Sequence, residues 1–133
     1  MHGGKARISL SCATCLLFGI SAQADDLNGA WANDASVCGK VFVTGNASVS
    51  FTNTSDAYGI GFIIEGDRLK GKMVDCTINS RKQDGTTVHL IAACSTDVAL
   101  SPTQFTLRIE GDNKITRVFP GIPEMDIAYF RCR

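Results

Sequence analysis

Histidine is nearly missing from this 133-residue chain, which holds only His2 and His89. Once an N-terminal leader is set aside, any imidazole mechanism rests on His89 alone. No Gly-x-Ser-x-Gly elbow occurs. Beyond residue 24 there is also no His-x-His, Cys-x-x-Cys or calcium-loop spacing, so neither a hydrolase site nor a metal centre is called for. An excess of one charge is lacking too: 13 basic residues face 13 acidic ones. That balance argues against a nucleic-acid partner, whose footprint would be a strongly basic face. No apolar run approaches the roughly 20 residues that span a bilayer, so no stable membrane insertion is expected. Finally, no stretch shows a helical period. The expected protein is not an enzyme, carries no cofactor, and acts by binding.

What the chain does have begins with its first 24 residues. Lys5 and Arg7 form a positive start, Cys12 to Ile20 an apolar segment, and Ala22-Gln23-Ala24 a small-x-small cleavage site. Residues 1–24 therefore read as a cleavable signal peptide, and 25–133 as a single domain that is periplasmic or secreted. Cleavage removes Lys5 and Arg7, leaving eleven basic groups against 13 acidic ones and a net charge of −2. It also removes Cys12 and Cys15. Four cysteines remain, Cys38, Cys76, Cys94 and Cys132, and in an exported chain they read as two disulfides.

Short alternating runs separated by glycine turns recur through the remainder, the pattern of a sandwich or barrel. Eight strands are predicted near 39–44, 47–53, 59–65, 68–80, 86–95, 103–110, 114–119 and 126–132. At Glu65-Gly66-Asp67-Arg68 a two-residue turn pairs Ile64 with Leu69, Phe62 with Gly71 and Ile60 with Met73, and leaves Arg68, Lys70 and Lys72 on a wet face. At Glu110 to Lys114 a three-residue loop pairs Ile109 with Ile115 and Leu107 with Arg117. At Thr44 to Ala47 a two-residue loop sets Phe42 against Val49. The run 68–80 changes parity midway, which a β-bulge near Met73 to Asp75 would produce.

The cysteines depend on the next hairpin. A five-residue loop, Gln83 to Thr87, sets Cys76 opposite Cys94, which leaves Cys38 to join Cys132 across the first and last strands. The alternative pairing is Cys38 with Cys76 and Cys94 with Cys132. Consecutive hairpins with a first-to-last staple predict an all-β fold, a small antiparallel up-and-down eight-stranded barrel with two disulfides. A β-sandwich is the alternative.

Leu27-x-Gly29-x-Trp31 resembles the Gly-x-Trp start of lipocalin-like barrels. The resemblance implies that Trp31 closes the barrel floor beneath a late-strand arginine, Arg117 or Arg131, with Arg117 taken as the barrel-closing residue. Gly29-Ala30-Trp31 followed by Cys38 is also similar to small periplasmic barrels that inhibit secreted metalloproteases. That likeness implies a partner-binding segment at Asp25, Asp26, Leu27 and Asn28, free to thread into a protease cleft. The stretch from Asp26-Leu27-x-Gly29-x-Trp31-Ala32-x-Asp34 through Arg131-Cys132 resembles uncharacterised small exported proteins of alphaproteobacteria, which implies no activity.

Arg117 falls on the apolar face of its strand, where a guanidinium must stack, pair or anchor a ligand carboxylate. His89 is placed outward, and most carboxylates sit in turns, as Asp67, Asp84 and Asp112 do. Two functions are carried forward for a monomeric binding protein. The first partner is a protein, engaged in the manner of a protease inhibitor. The second is a small apolar ligand held within a lipocalin-like barrel, which requires a cavity of several hundred Å³.

Overall fold

The computed structural model describes Gly3 and residues 26–133; the leader over 1–24, Gly3 apart, and Asp25 lie outside the described residues. Eight strands close an antiparallel barrel: β1 (Gly29–Ala32), β4 (Gly61–Glu65), β5 (Arg68–Lys70), β6 (Asp75–Asp84), β7 (Thr87–Ser95), β8 (Leu100–Ile109), β9 (Lys114–Val118) and β10 (Ile127–Cys132). Each strand pairs with its predecessor in the barrel, and β10 closes on β1. Between β1 and β4 the chain inserts α1 (Cys38–Val41), a two-stranded sheet of β2 (Phe42–Thr44) and β3 (Val49–Phe51), and α2 (Ser55–Tyr58).

The barrel is the one expected, but three of its members differ. Residues 39–44 and 47–53 are not barrel strands, and the first barrel strand is β1, where none was predicted. Its residues Ala30 to Ala32 are buried on both sides of the sheet. Trp31 belongs to the core inside the barrel, whereas Ala30 and Ala32 pack outside it beneath Val41 and Phe42 of the insertion. A strand covered on both faces carries no alternation to read. The run 68–80 is likewise two strands and not one bulged strand. Gly71 donates its N–H to the Val74 carbonyl (2.8 Å), the chain reverses, and the parity change is the consequence of a hairpin.

Register was legible at the Gly66 and Gly111 turns. Ile64 pairs with Leu69, and Ile109 with Ile115, as expected. The first hairpin stops at Ile63 with Lys70, however, so Ile60 and Met73 are exposed and not paired. Phe42 pairs with Phe51, because Gly45 bonds Ser48 in a loop longer than the two residues predicted.

Both disulfides join the favoured partners, Cys38 with Cys132 and Cys76 with Cys94. The route to the second differs from the one predicted. The β6–β7 turn has only two residues, Gly85 and Thr86, and the odd residue sits at a bulge between Ile78 and Ser80. Gly85 takes φ +61°, which a left-handed turn position favours. Cys38 lies at the start of α1, so its bridge ties the insertion, not the first strand, to the last strand.

Two apolar clusters result. Leu27, Trp31, Ile64, Val88, Leu90, Leu107 and Ile115 belong to the barrel interior, and a smaller cluster of Ala30, Ala32, Val41, Phe42 and Ile63 seals the insertion to the outer wall. Gly61 lets the two meet. A Cβ there would stand 2.7 Å from Phe42 Cζ and 2.9 Å from the Trp31 carbonyl oxygen.

Candidate functional site

The barrel has unlike ends. At one lie the short turns after β4, β6 and β8 together with the segment before β1, and at the other lie the insertion and the loops 71–74, 96–99 and 119–126. At the first end Trp31 forms the floor. Trp31 is 1% exposed, and its Nε1 donates to the Leu27 carbonyl (3.0 Å). The arginine across the indole is Arg131, whose Cζ lies 4.3 Å over the ring. It corrects the expectation of Arg117, since Arg131 stands beside Trp31 in the β1–β10 ladder while Arg117 pairs with Leu107 and Ile127 farther round the wall.

Arg131 also donates to the carbonyls of Asp26 (2.8 Å), Asp112 (2.8 Å) and Asn28. Gly29, at φ +137°, leaves room for this, because a Cβ there would meet Arg131 Nη1 at 2.9 Å. The candidate partner-binding segment is therefore built into the floor. Leu27 is 2% exposed, Asp26 and Asn28 are exposed but held by their backbones, and Asp25 lies outside the described residues.

Toward the other end the barrel is hollow, enclosing a cavity of about 520 Å³. Phe62, Leu69, Phe105 and Leu107 line its walls, and Val41 and Phe51 of the insertion face it from above. The floor residues Trp31, Ile64, Val88, Leu90 and Ile115 take no part in the lining. Bulky side chains fill the lower barrel, and the residues that replace them above leave space.

Arg117, Tyr129 and Ser55 are three of the polar residues that line this cavity. Arg117 lines it with its Cζ 4.6 Å over the Phe105 ring and 4.7 Å over the Phe119 ring. No hydrogen bond or ion pair reaches its guanidinium among the described residues. Tyr129 lies alongside, edge-on to Phe62 with centroids 4.8 Å apart. Burial pushes its phenol pKa up, an effect partly opposed by the positive charge of Arg117. The third group is the Ser55 hydroxyl at the start of α2, which is buried and has no hydrogen-bond partner among the described residues.

The remaining candidates do not converge on a site. His89 is half-buried on the outer wall with Nδ1 3.4 Å from the Thr106 hydroxyl, on a strand position that alternates with the inward Val88 and Leu90. Arg68 of the basic stripe forms an ion pair with Asp75 (2.8 Å), and Lys72 donates to the Thr52 carbonyl (2.6 Å). Large apolar side chains are exposed around the open end, namely Tyr58, Ile60, Met73, Val98, Leu100, Ile122 and Met125. Tyr129 and Ser55 were missed by sequence reasoning. Tyr129 shares parity with Ile127 and Arg131 on β10, a signal that was available, whereas nothing local marks Ser55.

No family model, curated protein or solved structure matches this chain.

Proposed function

We propose that this chain is an exported, non-catalytic carrier that holds a small apolar ligand in the open half of its barrel, in the manner of a lipocalin. The observation that carries this reading is the cavity of about 520 Å³ with its apolar walls. Its volume falls within the roughly 300–1,000 Å³ of small-molecule sites. Export is supported by the leader-like residues 1–24 and by two disulfides, which persist in oxidising compartments. The test is titration of the oxidised protein with an environment-sensitive apolar fluorophore. Saturable one-site binding, competed by a long-chain alcohol, is the expected result, and unsaturable or absent binding overturns it.

A protein partner is the second reading, and the number of large apolar side chains exposed around the open end favours it. The protease-inhibitor form of that reading needs a free segment ahead of Gly29, yet Leu27 is buried there. Replacing Val98 and Leu100 by Ser should abolish association with an exported partner while sparing ligand binding. Partner binding that survives the double substitution rejects the open-end surface.

A further inference from the structure

We propose that the ligand is an amphipathic monocarboxylate whose headgroup is held by Arg117 with Tyr129 beside it. This rests on the carrier reading above and adds the chemistry of the headgroup.

A guanidinium at the wall of an apolar cavity is costly unless its charge and its N–H groups are matched. Phe105 and Phe119 attract the charge through their ring faces. An aromatic face does not take up the five N–H donors of the fork, and the ion pairs among the described residues lie elsewhere, at Arg68, Arg108 and Lys114. The donor edge of Arg117 is thus unmatched among the described residues. A carboxylate fits that fork with two parallel hydrogen bonds.

Strand register supplies the second group. Arg117 pairs with Ile127 and Ile115 with Tyr129, so the side chains at 117 and 129 are diagonal neighbours on the inward face of adjacent strands. The Tyr129 hydroxyl has no hydrogen-bond partner among the described residues, and as a phenol it is able to donate at neutral pH. It is placed to supplement Arg117 at the same anion.

Charge balance selects a monoanion. The other charged residues lining the cavity are Asp56 and Lys72, both exposed, with Lys72 already bound to the Thr52 carbonyl. Asp56 and Lys72 balance each other in charge, so the lining carries one net positive charge, that of Arg117, and a dianionic phosphate would leave one negative charge without a counter-charge. Phe62, Leu69 and Leu107, with Val41 and Phe51 above, then surround an apolar tail.

Calorimetric titration of the oxidised protein with dodecanoate and with dodecanol tests the assignment, because the two probes share a tail and differ at the head. Wild-type protein should prefer the acid by about ten-fold or more. Arg117→Gln should erase that preference, weakening the acid by about ten-fold more than the alcohol, since a charge-assisted bidentate pair is lost with the acid and at most a neutral hydrogen bond with the alcohol. Arg117→Lys should keep part of it, and Tyr129→Phe should reduce it by a smaller factor. Dodecanol binding with no preference for the acid overturns the headgroup assignment and leaves the carrier reading standing. Equal loss of both probes in a folded Arg117→Gln protein also overturns it. If neither probe binds the wild type, the carrier reading falls and the headgroup with it. The wild-type comparison needs no variant, so it decides the matter even where Arg117→Gln fails to fold.

Discussion

Arg131 lies 4.3 Å over the Trp31 ring while its guanidinium binds the carbonyls of Asp26, Asn28 and Asp112. One side chain thus joins the last strand, the first strand, the segment ahead of it and the β8–β9 turn into a floor. Gly29 permits the arrangement by having no Cβ where Nη1 sits. The Leu27-x-Gly29-x-Trp31 pattern is in this way a piece of stability chemistry at the closed end, and none of its three residues lines the cavity.

Replacing Arg131 by Ala should cost about 2 kcal/mol or more, from one cation–π contact and several charge-assisted hydrogen bonds to carbonyls. Arg131→Lys should recover only part, because an ammonium cannot both cover the indole and reach three carbonyls. The midpoint of urea unfolding measures this. A change below about 0.5 kcal/mol, the range of ordinary surface substitutions, would show that the floor does not depend on it.

Gly61→Ala should destabilise by about 1–3 kcal/mol, the usual range for overpacking. The added methyl meets the Phe42 ring and the Trp31 carbonyl oxygen, and the latter is backbone that cannot swing aside. Gly39→Ala is the control. It lies in α1 with nothing within 4 Å of an added Cβ, so it should be neutral or stabilising. Equal thermal midpoints for the two variants would contradict the contact between insertion and barrel.

Loss of the Cys38–Cys132 bridge should cost more than loss of Cys76–Cys94. The bridges span sequence separations of 94 and 18, for which loop closure gives about 4.7 and 3 kcal/mol. The first also tethers the insertion that brings Val41, Phe51 and Ser55 over the cavity, so its removal should weaken ligand binding as well. Paired Cys→Ala variants compared by chemical unfolding and ligand titration test both points. Binding unaffected by the Cys38/Cys132 pair would mean that the insertion holds its place without the tether.

Glu110 gives a pH dependence of known sign. The Thr116 hydroxyl donates to its carboxylate (2.7 Å), and this bond, aided by Lys114 and Arg108, holds its pKa below the ordinary carboxylate value. A carboxylate depressed in the folded state contributes stability above its unfolded pKa and loses it as pH falls through the folded one. Thr116→Val should therefore lower stability at neutral pH and shrink the further loss on acidification below about pH 4, where carboxylates protonate. Wild-type and variant stability profiles that stay parallel through the acid range would exclude the bond as the cause.

Ser55→Ala should leave the empty protein unchanged or stabilise it by up to about 1 kcal/mol. A buried hydroxyl without a partner costs free energy that an apolar methyl does not. Thermal unfolding checks this, and a loss above about 1 kcal/mol would show that the hydroxyl is satisfied in the folded protein.

Legibility of the fold followed the reach of the interactions that set it. The hairpins at Gly66 and Gly111 could be read because turn length and alternation act within a few residues, and they give Ile64 with Leu69 and Ile109 with Ile115. The Cys76–Cys94 pair was reached by the right parity with the wrong device. A bulge at residue 79 and a longer loop shift the register alike, and alternation does not distinguish them. β1 was invisible for a different reason. Ala30 and Ala32 are apolar on the outside because the insertion covers them, and that cover comes from residues about ten positions later.

The candidate site divides the same way. Arg117 on an apolar strand face was evident from its neighbours Ile115 and Phe119. Whether it or Arg131 served Trp31 was not, because the choice depends on how β10 closes on β1, a pairing between the two ends of the domain. The sequence by itself determined the all-β character, the register at the Gly66 and Gly111 turns and the expectation of two disulfides, all consequences of short-range periodicity and residue chemistry. Only the tertiary structure decided which strands close the barrel, that Asp26 to Asn28 belong to its floor, and that its upper half is hollow. A cavity is a deficit of side-chain volume summed over many strands, and no single stretch of chain encodes it.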